Sequence, residues 1–305
     1  MTGAAPRSID EYLKQLREAL QDADPSLIQD ALYDAEEYLR AEVASHPEKS
    51  EADVLELIAS TYGAPDEVAA AYRETEAKVT AALRPIAPRG IDSPNPVRRF
   101  FGVYSDPRAY MSLFYMLLTL ATGIVYFVFV VTGLSLSAGL AVLIVGLPFF
   151  LAFIGIARVL ALGEGRLLEG ITGERMPRRP VHPGVGGGIW ARIGAMLADP
   201  RTWTTLAYLL LMLPLGIIYF VIAIVGISLG GALIVAPFLM FAQHLDWIVI
   251  DHPSHIDSVL FGSPVGSLFA VACGVLICTA LLHAARGIGR VQVALARALL
   301  VKPGM

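Results

Sequence analysis

Six side chains with ligand-type chemistry fall within one short stretch: His244, Asp246, Asp251, His252, His255 and Asp257. Imidazole nitrogens beside carboxylate oxygens form a donor set that suits a divalent transition metal. His252 and His255 stand three apart, which fits one helical face, yet Pro253 between them works against a regular helix. If the stretch faces the exterior, this chemistry is that of a metal or proton sensor, with hydrolysis a more distant reading. The plain alternative is a polar interfacial loop whose His and Asp meet water and lipid headgroups. No Ser-His-Asp order, metalloprotease motif or nucleotide motif accompanies the cluster. No catalytic residue is therefore named, and the expectation is a non-enzyme whose one candidate cofactor is a divalent metal. Pro183-Gly184-Val185-Gly186-Gly187-Gly188 lacks the Lys-Ser/Thr that follows a phosphate-cradling loop and reads as a hinge. Cys273 and Cys278 lie five apart in an apolar run, on different helix faces, and read as small hydrophobes.

The elements that hold these groups come from a duplicated text. Asp106-Pro107-Arg108 opens residues 106–136, Asp199-Pro200-Arg201 opens 199–229, and the two stretches share 16 identities in 31 positions. Tyr115, Tyr126, Phe127, Gly123 and Gly133 recur as Tyr208, Tyr219, Phe220, Gly216 and Gly226. Each copy is a charged entry followed by about 20 apolar residues, enough to cross a hydrocarbon core as a helix. The glycines suit close helix contact. The aromatics suit packing and interface anchoring, or the lining of an apolar groove for a lipid-like ligand. Mean hydropathy of +0.62 and only 16% charged residues agree with a membrane protein.

Charge divides the chain. Residues 1–100 hold 19 acids against 11 bases, and residues 101–305 hold 8 against 12. An acidic soluble head on a weakly basic membrane body argues against direct nucleic-acid binding. The expected layout is a helical head at 1–84, a Pro/Arg linker at 85–100 that cannot be a regular helix, and a first membrane hairpin at 101–176. A cytoplasmic connector at 177–198, a second repeat with a last span at 199–285, and a basic tail at 286–305 complete it. Span 1 turns at Gly133-Leu134-Ser135-Leu136-Ser137. Segment 228–250, with Gly230-Gly231 and Pro237, is expected to be broken, and a dip back to its own side is favoured over a full crossing. Arg98, Arg99 and Arg108, with the arginines at 158–201, place head and connector in the cytoplasm. The two hairpins are then parallel repeats. The fold class is all-α throughout.

Within the head, Ser8 with Glu11 forms a capping box ahead of the stripe Ile9, Leu13, Leu16 and Leu20. Asp24-Pro25 opens a helix bearing Ile28, Leu32, Ala35 and Leu39, and Ser50 caps one bearing Val54, Leu57 and Ile58. Gly63 ends that helix, and Pro65 starts another with Val68, Ala71, Tyr72 and Val79 inward. Four helices in about 75 residues make a marginal core, which docking onto the membrane body or self-association would relieve.

Tyr12-Leu13-Lys14-Gln15-Leu16, Glu36-Glu37-Tyr38-Leu39 and Tyr62-Gly63-Ala64-Pro65-Asp66-Glu67-Val68-Ala69 resemble the HAAS-type helical signalling domain of bacterial membrane proteins. Residues 100–301 resemble the sensor domain found N-terminal to histidine kinases, chiefly of actinobacteria. The twin Asp-Pro-Arg entries, Val145-Gly146-Leu147-Pro148, Leu213-Pro214-Leu215-Gly216-Ile217 and the tail from Ala285 to Leu300 carry that likeness. It implies an inside C-terminus. The chain ends at Met305 without room for a phosphoacceptor helix or ATP-binding domain, so output is expected to pass through the head or another polypeptide. The HAAS resemblance implies a cytoplasmic partner such as a PadR-like transcriptional regulator. The expected protein is thus a sensor/regulator of a bacterial inner membrane, in contact with lipid and with homo-oligomer formation open. The alternative is a small transporter or lipid-binding membrane protein.

Overall fold

A computed structural model describes residues 5–83, 95–140, 146–173, 175–177, 194, 197–245, 247 and 263–300. Helices account for nearly all of them, and no strand occurs among the described residues. The head holds α1 (Ile9–Ala19), α2 (Pro25–Ser45), α3 (Glu51–Thr61) and α4 (Pro65–Leu83). After α5 (Pro96–Phe101) come four long helices: α6 (Pro107–Leu140), α7 (Gly146–Thr172), α8 (Pro200–His244) and α9 (Pro264–Leu300). All four are long and apolar enough to cross a membrane. Contacts group the chain into two units, one of residues 1–86, 131–208 and 293–305, the other of 87–130 and 209–292.

In the first unit the head folds as its punctuation requires. Ser8 Oγ accepts from the Glu11 N–H at 3.2 Å, and the Glu11 carboxylate accepts from the Arg7 N–H at 2.9 Å. Asp24 caps α2 ahead of Pro25, Ser50 caps α3, and Gly63 takes φ +110°, the left-handed conformation that favours glycine. Most of each expected stripe is inside, with Ile9, Leu16, Leu20, Ala35, Leu39, Val54, Ile58 and Val68 in the core, and the remainder shifts to neighbouring positions. Tyr12, Ala31, Leu55 and Ala69 are sealed, whereas Leu13 and Leu32 are only partly buried, and Leu57 and Ala71 are exposed. The cause is that α1 packs on both α2 and α4, so it needs a face wider than one ridge.

Two tyrosines lock this small core. Tyr12 donates to the Gly63 carbonyl at 2.8 Å and Tyr72 to Asp34 Oδ2 at 3.1 Å. Burial, helped by acidic neighbours, pushes both hydroxyls above the ordinary tyrosine range. The folded head therefore holds these protons more tightly than the unfolded chain. That contribution to stability is whole below about pH 10 and drains away as pH rises further. In an alkaline titration followed at the phenolate absorbance band, a late step is expected that coincides with loss of helicity. Tyr12→Phe and Tyr72→Phe should each shrink that step, and unchanged titrations in both would refute the assignment.

The twin entries fold alike. Asp106 Oδ1 accepts from the Arg108 N–H at 3.1 Å, and Asp199 Oδ1 accepts from the Arg201 N–H at 3.1 Å. Each aspartate so caps its helix, with proline at the first helical position where no N–H is needed. Each cap also faces an arginine: Arg286 lies 3.0 Å from Asp106, and Arg158 lies 3.6 Å from Asp199. Four residues beyond the aspartate, an aromatic closes the preceding turn. Tyr110 donates to the Tyr104 carbonyl at 3.0 Å, and Trp203 to the Leu197 carbonyl at 2.9 Å. Burial repeats too, with Tyr115 and Tyr208, Met116 and Leu209, and Tyr126 and Tyr219 all inside. Packing is thus what these tyrosines do, and Tyr219 also donates to Gln292 at 3.1 Å.

In the second unit the copies meet. A Cβ on Gly123 would lie 2.6 Å from the Met212 carbonyl oxygen, and one on Gly216 would lie 2.6 Å from that of Thr119. A shift of 93 residues turns either contact into the other, so the crossing of α6 and α8 has a local two-fold relation. The direction in which each copy crosses the membrane rests on the loop charges and not on this contact. Along α8 and α9, Gly226 lies against Leu281, Gly230 against Cys278, and Gly274 against Ile234.

Three expectations are corrected. The turn at 133–137 is absent because α6 runs on to Leu140, with Gly133 making room for the Phe153 ring instead of bending the chain. Segment 228–250 is unbroken as far as it is described. Residues 228–244 continue α8 through Pro237, and Gly230 admits α9 closely rather than turning the chain. Among the described residues there are four membrane-length helices, and α9 is the last span expected at the end of the second repeat. The linker, finally, holds a helix at its end, α5, which Asn95 caps and Pro96 opens.

Candidate functional site

Acidic side chains of the head converge on two cations that follow α7 and close α9. Asp30 on α2 lies 2.9 Å from Arg175, with side chains only 7% and 12% exposed, and Glu76 on α4 pairs with the same guanidinium. Arg297 reaches Asp24 Oδ2 at 3.5 Å and donates to the Arg175 carbonyl at 3.3 Å. Asp24 has two tasks, since its Oδ1 caps α2. A buried arginine holding two carboxylates is costly to bring out of water and costlier to leave half-paired. The arrangement therefore acts as a latch between head helices and the segments at 175–177 and 293–300. The acid excess of the head and the basic residues at 158–201 and in the tail are visible in the sequence. The pairing itself does not show there, because 145 positions separate Asp30 from Arg175.

Beside the latch lies a small open cleft. Gln29 of α2, Arg158 and Leu162 of α7, Met176, Arg201 at the start of α8, and Leu300 line it. Arg158 donates to Thr202 Oγ1 at 3.3 Å as well as facing Asp199. Both terminal nitrogens of Arg201 are sealed from solvent, and neither has a hydrogen-bond partner among the described residues. Such a cleft can recognise an anion with an apolar portion. Among the described residues its lining holds no nucleophile–base pair.

Of the sequence-derived metal candidates, His244 ends α8 and is exposed. Asp246, Asp251, His252, His255 and Asp257 lie outside the described residues. Among the described residues no group of three His, Cys, Asp or Glu could hold a metal ion. Cys273 and Cys278 are free and partly buried.

A family model described as "Putative sensor" matches residues 115–300, and the HAAS model matches residues 11–71. Comparisons with curated proteins and with solved structures each gave no match.

Proposed function

The chain belongs to the "Putative sensor" family, with a HAAS domain ahead of it, and from that premise we propose that it relays a membrane or exterior condition to a cytoplasmic partner. It is a multi-pass membrane protein with a sensor and regulatory role. In the proposed relay the head is the output element, seated by Arg175 and Arg297 and released when the membrane helices shift. The observation that carries the reading is the latch, which ties α2 and α4 of the head to the ends of two membrane-length helices. A body with two states that differ in how well they hold the head would suffice, provided the stimulus favours one state. Contacts of the head with residues after α7 and at the end of α9 support placing head, connector and tail on one side. The arginines around them support the cytoplasmic side of a bacterial inner membrane. Head release exposes acidic helical surface for a regulator, and a PadR-like transcription factor is the candidate its HAAS domain suggests.

Co-purification from detergent of the intact protein, against a form lacking residues 1–84, tests this. A specific cytoplasmic protein recovered with the first and lost with the second is expected. Recovery of the same proteins with both would refute the relay, and substrate flux into liposomes unaffected by the truncation would favour a transporter.

A further inference from the structure

We infer that the cleft beside the latch binds a phosphoryl anion through Arg158 and Arg201. Among the described residues, the carboxylate that acts on both guanidinium groups is Asp199, and both of its oxygens are engaged: Oδ1 caps α8 and Oδ2 faces Arg158. Asp199 attracts Arg201 electrostatically but gives its terminal nitrogens no hydrogen bond. An unpartnered guanidinium edge with two parallel N–H donors is the half-site that a phosphate completes bidentately, once a turn of the Arg201 side chain brings that edge into the cleft. The N-terminus of α8, where Pro200 and Arg201 begin the helix, adds its positive end to the same place. A second feature narrows the ligand. Ala161, Leu162, Met176 and Leu300 make the remaining wall apolar, so the bound anion carries or tolerates a hydrocarbon neighbour. The headgroup phosphate of an anionic lipid and a free phosphate compound share the chemistry, and the two are told apart by experiment. Because Gln29 of the head lines the cleft and Asp30 next to it closes the latch, an occupant touches the element that the relay would move. Binding itself does not depend on the relay reading.

Full-length protein in neutral detergent is titrated with inorganic phosphate, followed by equilibrium dialysis, and with phosphatidylglycerol against phosphatidylcholine, followed by native mass spectrometry. Saturable binding of phosphatidylglycerol alone assigns a lipid headgroup, and saturable binding of phosphate assigns a soluble anion. In either case Arg201→Gln should weaken binding at least tenfold and Arg201→Lys less, because it keeps the charge but loses the fork. Arg166→Gln, an exposed arginine on α7, should leave binding unchanged. If the Arg201 variants do not fold, Arg158→Gln serves in their place with the same expected loss. The inference is overturned if neither probe saturates, or if Arg166→Gln weakens binding as much as the cleft variants do. Partner recovery in the truncation experiment is a separate readout, so either idea can fail while the other stands.

Discussion

Gly123→Leu and Gly216→Leu are each expected to lower stability by about 3 kcal/mol or more, at the upper end of what overpacking costs. The reason is what the new side chain would meet. At both positions the nearest atoms are backbone: a carbonyl oxygen at 2.6 Å, its carbon at 2.9 Å and a Cα at 3.0 Å. A flexible side chain could swing away, but main chain inside a helix moves only if the whole helix moves. α6 and α8 would have to separate, which also opens the packing around Met116, Tyr219 and Ala223. Since both substitutions break one crossing, the double variant should cost clearly less than the sum of the singles. Gly170, with nothing within 4 Å of its Cβ position, supplies the control. Gly170→Leu should be neutral or slightly stabilising, because leucine outranks glycine in a helix. Melting temperatures in detergent by size-exclusion recovery would decide this, and equal losses at Gly170 and Gly123 would contradict it.

Arg175→Ala should free the head. Removing one partner from a buried pair costs about 3–5 kcal/mol, and here two carboxylates, Asp30 and Glu76, lose their cation at once. The cost falls on the docked arrangement more than on the head's own core, because that apolar cluster, with Tyr12, Leu16, Leu39 and Ile58, does not include the latch carboxylates. Amide exchange at residues 24–34 should therefore accelerate while helicity stays nearly constant. Arg297→Ala should act in the same direction but far more weakly, its pair with Asp24 being half-exposed at 3.5 Å. Unchanged exchange in Arg175→Ala would mean that the latch does not hold the head.

Much of this architecture is legible from residue types. Ser8, Asp24, Ser50, Gly63 and Pro65 announce the head helices because caps and left-handed termini depend on one or two residues in sequence. The duplicated Asp-Pro-Arg entry announces helix starts for the same reason. Gly133 and Gly230 mislead as turn and break signals because glycine serves two purposes that sequence does not separate. It permits a turn, and it permits a close neighbour. In lipid, where an open turn leaves polar backbone without water, the second use prevails at these positions. The latch and the cleft lie beyond local reading altogether. They join Asp30 to Arg175, and Gln29 to Arg201, across separations that only the folded chain closes.

The length of α8 carries a mechanical consequence. Its 45 residues extend about 67 Å as a straight helix, against a hydrocarbon layer of about 30 Å. From Thr202 to Gln243 not one residue carries a charge, so no ionic collar fixes which portion sits at mid-bilayer. The rod must lean or bend to keep its greasy surface out of water, and Pro214 and Pro237 are the two places where its backbone ladder is already interrupted. The slant of α8 is then held by its packing on α6 at Gly216 and on α9 at Gly226 and Gly230, so a change of bilayer thickness loads those crossings.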